Sequence, residues 1–197
     1  MNPSLPVRLL LGTAIVAMVA CGGKRSNSTS DAYTSKVSEA MNDTTGLVEQ
    51  SVDLDANGTV EIKNFFRERA EAARLLVRKE LDMNRDGRFD VISFFDDDGE
   101  LTREEMDSDY DGAFDWTDHY QDGVRVMSEY DTDADGAPNV FKYYVRNDDG
   151  VVVLDRKERD EDGDGKIDVW ERFNDAGEVI RTGRDTDGDG RMDVREE

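Results

Sequence analysis

The chain has 197 residues, with 47 acidic side chains against 25 basic ones and a formal net charge of −22 at neutral pH. That surplus of carboxylate excludes nucleic acid as a partner, because binding a phosphate backbone rests on Lys and Arg displacing its counterions. Hydrophobic residues make up 37% and mean hydropathy is −0.74, a composition that predicts a thin core.

Residues 1–20 hold Arg8 followed by an apolar run from Leu9 to Ala20, ending Met18-Val19-Ala20-Cys21-Gly22-Gly23. Twelve apolar or small residues are too few to span a bilayer, which needs about 20, but they suit the apolar region of a signal peptide. Small residues before the only Cys of the chain resemble the lipobox of bacterial lipoproteins, with Met18 where that family usually has Leu. The resemblance implies cleavage before Cys21, a lipid on its thiol, and an anchor in the cell envelope. With Gly22 where an Asp would signal inner-membrane retention, it favours the outer membrane, on its periplasmic or surface side. Residues 21–45 are rich in Ser, Thr, Asn and Asp and read as a flexible tether, with a short helical turn around Lys36–Met41.

Residues 46–197 form a repeat domain. Six loops begin at Asp53, Asp82, Asp107, Asp131, Asp160 and Asp185, spaced 24 to 29 residues apart, a period typical of repeat architectures. Each carries oxygen-bearing side chains at positions one, three, five and nine, with Gly at position six. The first holds Asp53, Asp55, Asn57 and Glu61, the second Asp82, Asn84, Asp86 and Asp90, and the third Asp107, Asp109, Asp111 and Asp115. The fourth holds Asp131, Asp133, Asp135 and Asn139, the fifth Asp160, Asp162, Asp164 and Asp168, and the sixth Asp185, Asp187, Asp189 and Asp193. Carboxylates at alternate positions converge on one point, and the Gly turns the chain back on itself, as a hard cation such as Ca²⁺ requires. Those positions carry 21 carboxylates, which repel one another unless cations neutralise them. Folding that depends on calcium follows as an expectation.

Between the loops lie β-branched and aromatic runs, Phe89–Phe95, Phe114–Tyr120, Val140–Val145 and Ile167–Phe173. Turns at Asp98-Gly99, Asp122-Gly123, Asp149-Gly150 and Ala176-Gly177 follow them, so each repeat reads as a β-hairpin. The alternation predicts one buried face carrying Phe89, Val91, Phe95, Phe114, Trp116, Tyr120, Ile167, Val169 and Phe173. Residues 61–81 have helical propensity, but Phe66 and Leu75–Leu81 fall in the slots of their sibling repeats, which predicts a hairpin with a helical tip at Arg67–Ala73. The fold expected is mainly β: repeated hairpins in an antiparallel meander, twisted or solenoid-like and able to close on itself, with calcium loops along one edge.

The loops resemble the calcium loop of EF-hands and, more loosely, those of thrombospondin type 3 and dockerin modules. An EF-hand places an acid at position twelve, where this chain has Asn64, Ser93, Asp118, Lys142, Glu171 and Glu196. On a strand, positions nine and twelve point to opposite faces, so these residues are expected to turn away from the ion. Glu80, Glu105, Glu129 and Glu158, two residues before a loop, are expected to pair with neighbouring Arg and Lys. With one His and one Cys, no zinc or iron cluster is in view, no catalytic constellation stands apart from the loops, and the chain reads as a non-enzyme. Two functions follow as expectations: a calcium-binding envelope lipoprotein serving as spacer or interaction module, or an accessory subunit tethering a partner protein at the outer membrane with calcium only structural.

Overall fold

The computed structural model describes residues 35–196; the apolar run, Cys21 and most of the tether lie outside them. Among the described residues there are thirteen strands and no helix. They are β1 (Lys36–Asn42), β2 (Leu47–Asp53), β3 (Ile62–Arg67), β4 (Leu75–Leu81), β5 (Val91–Phe95), β6 (Leu101–Met106) and β7 (Trp116–Gln121), then β8 (Val124–Tyr130), β9 (Val140–Arg146), β10 (Val152–Arg159), β11 (Val169–Phe173), β12 (Val179–Arg184) and β13 (Val194–Glu196). All join one antiparallel sheet in chain order, and the meander stays open, with β1 and β13 at its two edges.

Sequence and structure part at three places. Lys36–Asn42, read as tether with a helical turn, is strand β1 and pairs along its whole length with β2. The tip after β3 contains no helix, so the pairing of Phe66 with Leu76 and Arg67 with Leu75 overrides local propensity there. The expected face is also less buried than the alternation implies: Val91 and Val169 are enclosed, Phe95, Trp116, Tyr120 and Phe173 are half-buried, and Phe114 is exposed. A single sheet lacks the second layer that would cover it.

Packing therefore happens within each face. Nearest the loops runs an apolar ladder, Val37, Val52, Ile62, Leu81, Val91, Met106, Trp116, Tyr130 and Val140, each opposite the next. Trp116 meets Tyr130 edge-on at 6.0 Å. On the opposite face, arginines lie over aromatic rings of neighbouring strands: Arg78 between Phe65 and Phe94, Arg103 4.2 Å from Phe94, and Arg156 4.0 Å from Tyr143. Their aliphatic stems cover apolar surface while their charges reach water, which is how one layer excludes solvent on both sides.

The turns use the chemistry that the Asp-Gly signals suggest. Asp122 and Gly123 both adopt positive φ in the two-residue link between β7 and β8, the backbone a type I′ hairpin needs. In three longer turns Asp96, Asn147 and Asn174 accept backbone N–H groups from residues two and four places on. Every return strand from β4 to β12 carries one bulged residue: Val77, Thr102, Val126, Asp155 and Ile180. Bulges raise local twist, so the sheet coils with the same period as the repeats.

Candidate metal centres

All six acidic loops connect an even strand to the following odd strand, so antiparallel alternation places them at the same end of the sheet, opposite the tight turns. Neighbouring loops are also joined through the backbone. The N–H of the first Asp of one loop donates to the position-nine carbonyl of the loop before it, as in Asp82 to Glu61 and Asp107 to Asp90, both 2.8 Å. Successive loops sit two strand spacings apart, about 10 Å, close to the distance over which physiological salt screens charge.

Each loop is held by its own acids. The position-one carboxylate accepts the N–H of the Gly at position six: Gly58 to Asp53, Gly87 to Asp82, Gly112 to Asp107 and Gly165 to Asp160, all 2.8 Å. The position-nine oxygen accepts the N–H of position two, as in Leu54 to Glu61 at 2.7 Å and Met83 to Asp90 at 2.6 Å. In the fourth loop the Asn139 side-chain carbonyl takes that role, accepting from Thr132. Position five accepts the N–H two residues on, for example Lys166 to Asp164 at 2.9 Å. These bonds hold several carboxyls ionised: Ser108 lowers the pKa of Asp115, and the backbone N–H of Thr186 lowers that of Asp193.

Position four adopts the left-handed conformation in every loop. Ala56, Arg85, Tyr110 and Ala134 occupy it with φ of 59 to 66°, and Gly163 and Gly188 occupy it in the last two loops. Only those two glycines announce this requirement in the sequence; the other four loops accept backbone strain to keep the same shape.

Side-chain oxygens of positions one, three and nine lie within 4.8 Å of one another in four loops: Asp53, Asp55 and Glu61; Asp107, Asp109 and Asp115; Asp160, Asp162 and Asp168; Asp185, Asp187 and Asp193. In the fourth loop the converging acids are Asp131, Asp133 and Asp135. The second loop has Asn84 at position three, and its amide donates to Asp86 at 3.2 Å. Position five joins the converging acids only in the fourth loop among the described residues, so Asp86, Asp111, Asp164 and Asp189 stand outside these groups, and the first loop has the amide of Asn57 there.

Two loop atoms lack partners. Glu61 is 2% exposed, and its Oε1 is sealed from solvent with no hydrogen bond; Asp131 Oδ1 is in the same state. A buried carboxylate oxygen without a donor is costly, and a cation is one ligand that would satisfy it. The donor set is all oxygen, which suits a hard divalent ion.

Position twelve lies on the sheet, away from the loops. Asn64, Ser93, Asp118, Lys142, Glu171 and Glu196 all belong to one cross-strand polar ladder. Within it Ser128, which is fully buried, donates to Asp118, and Arg125 reaches Asp118 at 3.2 Å. Glu171 lies 3.7 Å from Lys157. The acids before the loops pair along their own strands or with the strand before: Glu80 with Arg78, Glu105 with Arg103 at 3.1 Å, Glu158 with Arg156 at 3.2 Å, and Glu129 with His119 at 3.4 Å. Burial raises the pKa of Glu80 against the opposing pull of Arg78.

No family model and no curated protein matches this chain. Among solved structures, a chain from the crystal structure of accessory secretory protein 1, 2 and 3 in Streptococcus pneumoniae aligns with 69% of this chain at 15% identity and a TM-score of 0.24. The present chain spans 18% of that one, and a likeness at that score carries no argument about fold or role.

Proposed function

We propose that this chain is a calcium-binding, lipid-anchored protein of the bacterial cell envelope, whose metal-clasped repeats form a spacer or interaction module at the outer membrane. The observation that carries the calcium reading is the first loop, where the carboxylates of Asp53, Asp55 and Glu61 converge and Glu61 Oε1 has no other partner. Crowded carboxylates with irregular geometry favour Ca²⁺ over Mg²⁺, which demands a small, regular octahedron. In the five loops whose acids converge the ion would be held by positions one, three and nine, or by positions one, three and five at Asp131. Its contribution is charge neutralisation and stiffening of the loop edge; no reaction is assigned to it.

Calorimetric titration of the full-length chain with calcium tests this reading. Saturable binding with dissociation constants on the order of 10⁻⁴–10⁻³ M is expected, the range of extracellular modules. Absence of binding heat, together with a β-type circular dichroism spectrum identical in chelator and in calcium, overturns it. The anchor rests on the sequence at Cys21, and Cys21→Ser is expected to leave an uncleaved precursor without lipid. Normal cleavage and membrane fractionation of that variant overturn the lipoprotein reading.

A further inference from the structure

The fifth repeat breaks the pattern of arginines and rings on the sheet face opposite the apolar ladder. In the row where the rings of Phe65, Phe94, His119 and Tyr143 each stand opposite an arginine of a neighbouring strand, β11 carries Arg172. Arg156, Arg172 and Arg181 consequently stand directly opposite one another on β10, β11 and β12. Like charges in direct cross-strand register oppose one another in a sheet. The aromatic side chain appears instead one row nearer the loops, as Trp170. Its neighbour on β12 is Gly183, and Met192 crosses the space a side chain there would fill; a Cβ on Gly183 would come within 2.9 Å of three Met192 side-chain atoms. Arg195 lies beyond Gly183 on β13.

The result is a groove of about 180 Å³ with Trp170 and Met192 among its lining residues and four guanidinium groups around it. It sits in a protein whose acidic residues outnumber its basic ones 47 to 25. Arg156 lies 3.2 Å from Glu158, and Arg172 lies 3.1 Å from Asp155. One carboxylate occupies only part of the five-donor capacity of a guanidinium. Glu171, the one acid among the lining residues, is engaged by Lys157 and Arg159.

We propose that this groove binds an acidic saccharide, its ring stacked on Trp170 and its carboxylate or phosphate groups held by the arginine row. The chemistry matches a ligand with one flat apolar face and fixed negative charge, because tryptophan stacks rings and arginine chelates oxyanions in pairs. An acidic peptide fits less well. The groove lies on the sheet face, where the backbones of β10 to β12 are paired on both sides and only the far edge of β13 is open to an extended chain.

The test uses the full-length chain carrying Trp116→Phe, which leaves Trp170 as the single tryptophan reporter. A glucuronate-containing tetrasaccharide should change its fluorescence saturably. Arg172→Phe, which restores the ring found in sibling repeats, should weaken binding about tenfold with no fall in thermal midpoint. Arg195→Ala should weaken it as well. A neutral tetrasaccharide binding equally well, no saturable response to the acidic one, or unchanged affinity in Arg172→Phe each overturns the proposal. Displacement of the saccharide by equimolar inorganic phosphate reduces the groove to a simple anion site and overturns the ring assignment. Tighter binding of an oligo-glutamate peptide reassigns it to a protein partner.

Discussion

Arg85, at position four of the second loop, places its Nη1 3.2 Å from Oδ2 of Asp55, at position three of the first. A guanidinium tethered on one loop thus serves as counter-ion to a metal-ligand candidate on its neighbour. A calcium ion claiming Asp55 has to displace it. Arg85→Ala should therefore raise calcium affinity at the first loop, by up to about fivefold for a partly exposed ion pair. Site-resolved NMR titration checks this; equal affinity means that Arg85 and calcium use Asp55 without competing.

Glu61 offers the sharpest single-residue test of the metal reading. Glu61→Gln keeps an acceptor for the Leu54 N–H but removes the buried charge. Calcium affinity of the first loop should drop at least about tenfold, while the metal-free sheet should be no less stable, since an uncompensated buried carboxylate has been removed. Thermal melts in chelator and in calcium separate the two effects.

Asp118 occupies the position that carries the last acid of an EF-hand, yet it is bonded to Ser128 and Arg125 on the sheet. Asp118→Ala should cost about 2–3 kcal/mol of stability, leaving Ser128 buried without its acceptor. Calcium binding at the third loop should remain unchanged. A loss of binding without a loss of stability would return Asp118 to the metal.

Gly163 takes φ of +77° with open space where a Cβ would go. Gly163→Ala should thus destabilise by about 1 kcal/mol through backbone strain alone. Chemical denaturation in calcium measures this, and an unchanged midpoint would mean that the fifth loop relaxes freely.

Arg74 holds Glu39 of β1 through two hydrogen bonds, of 2.7 and 3.1 Å, which lower the Glu39 pKa below the usual glutamate range. A carboxyl depressed in the folded state adds stability above its unfolded pKa and loses it as pH falls through the folded one. The attachment of β1 should weaken on the acid side of the ordinary glutamate pKa. In Arg74→Ala the Glu39 titration, followed by carboxyl NMR, should move up and β1 should fray at a higher pH.

The hairpins were legible because Asp-Gly turns and period-two runs agree with one another across the repeats. Strand β1 was not, since its sequence, Lys36-Val37-Ser38-Glu39-Ala40-Met41-Asn42, mixes small and polar residues and gains its conformation only by pairing with β2. The buried face was half legible: Val91 and Phe95 stood out, but Ser93 between them belongs to a polar ladder that only strand register reveals. The loop acids were visible as a spacing pattern. Their convergence, the orphaned oxygen of Glu61, and the arginine row of the fifth repeat all depend on which strands lie side by side.

Strand order that follows chain order has a mechanical consequence. Tension on the two ends of the sheet acts across its strands, so hydrogen bonds are loaded one after another, as in a zipper, and never all together. The sheet should peel from an edge at low force, one hairpin at a time. Each repeat of 24 to 29 residues pays out roughly 80–100 Å of extended chain. Ions seated in the loops would act as rivets between successive hairpins, setting the force at which each lets go. A sheet built this way lengthens in steps, and occupancy of its loops by an ion would set the size of the force each step needs.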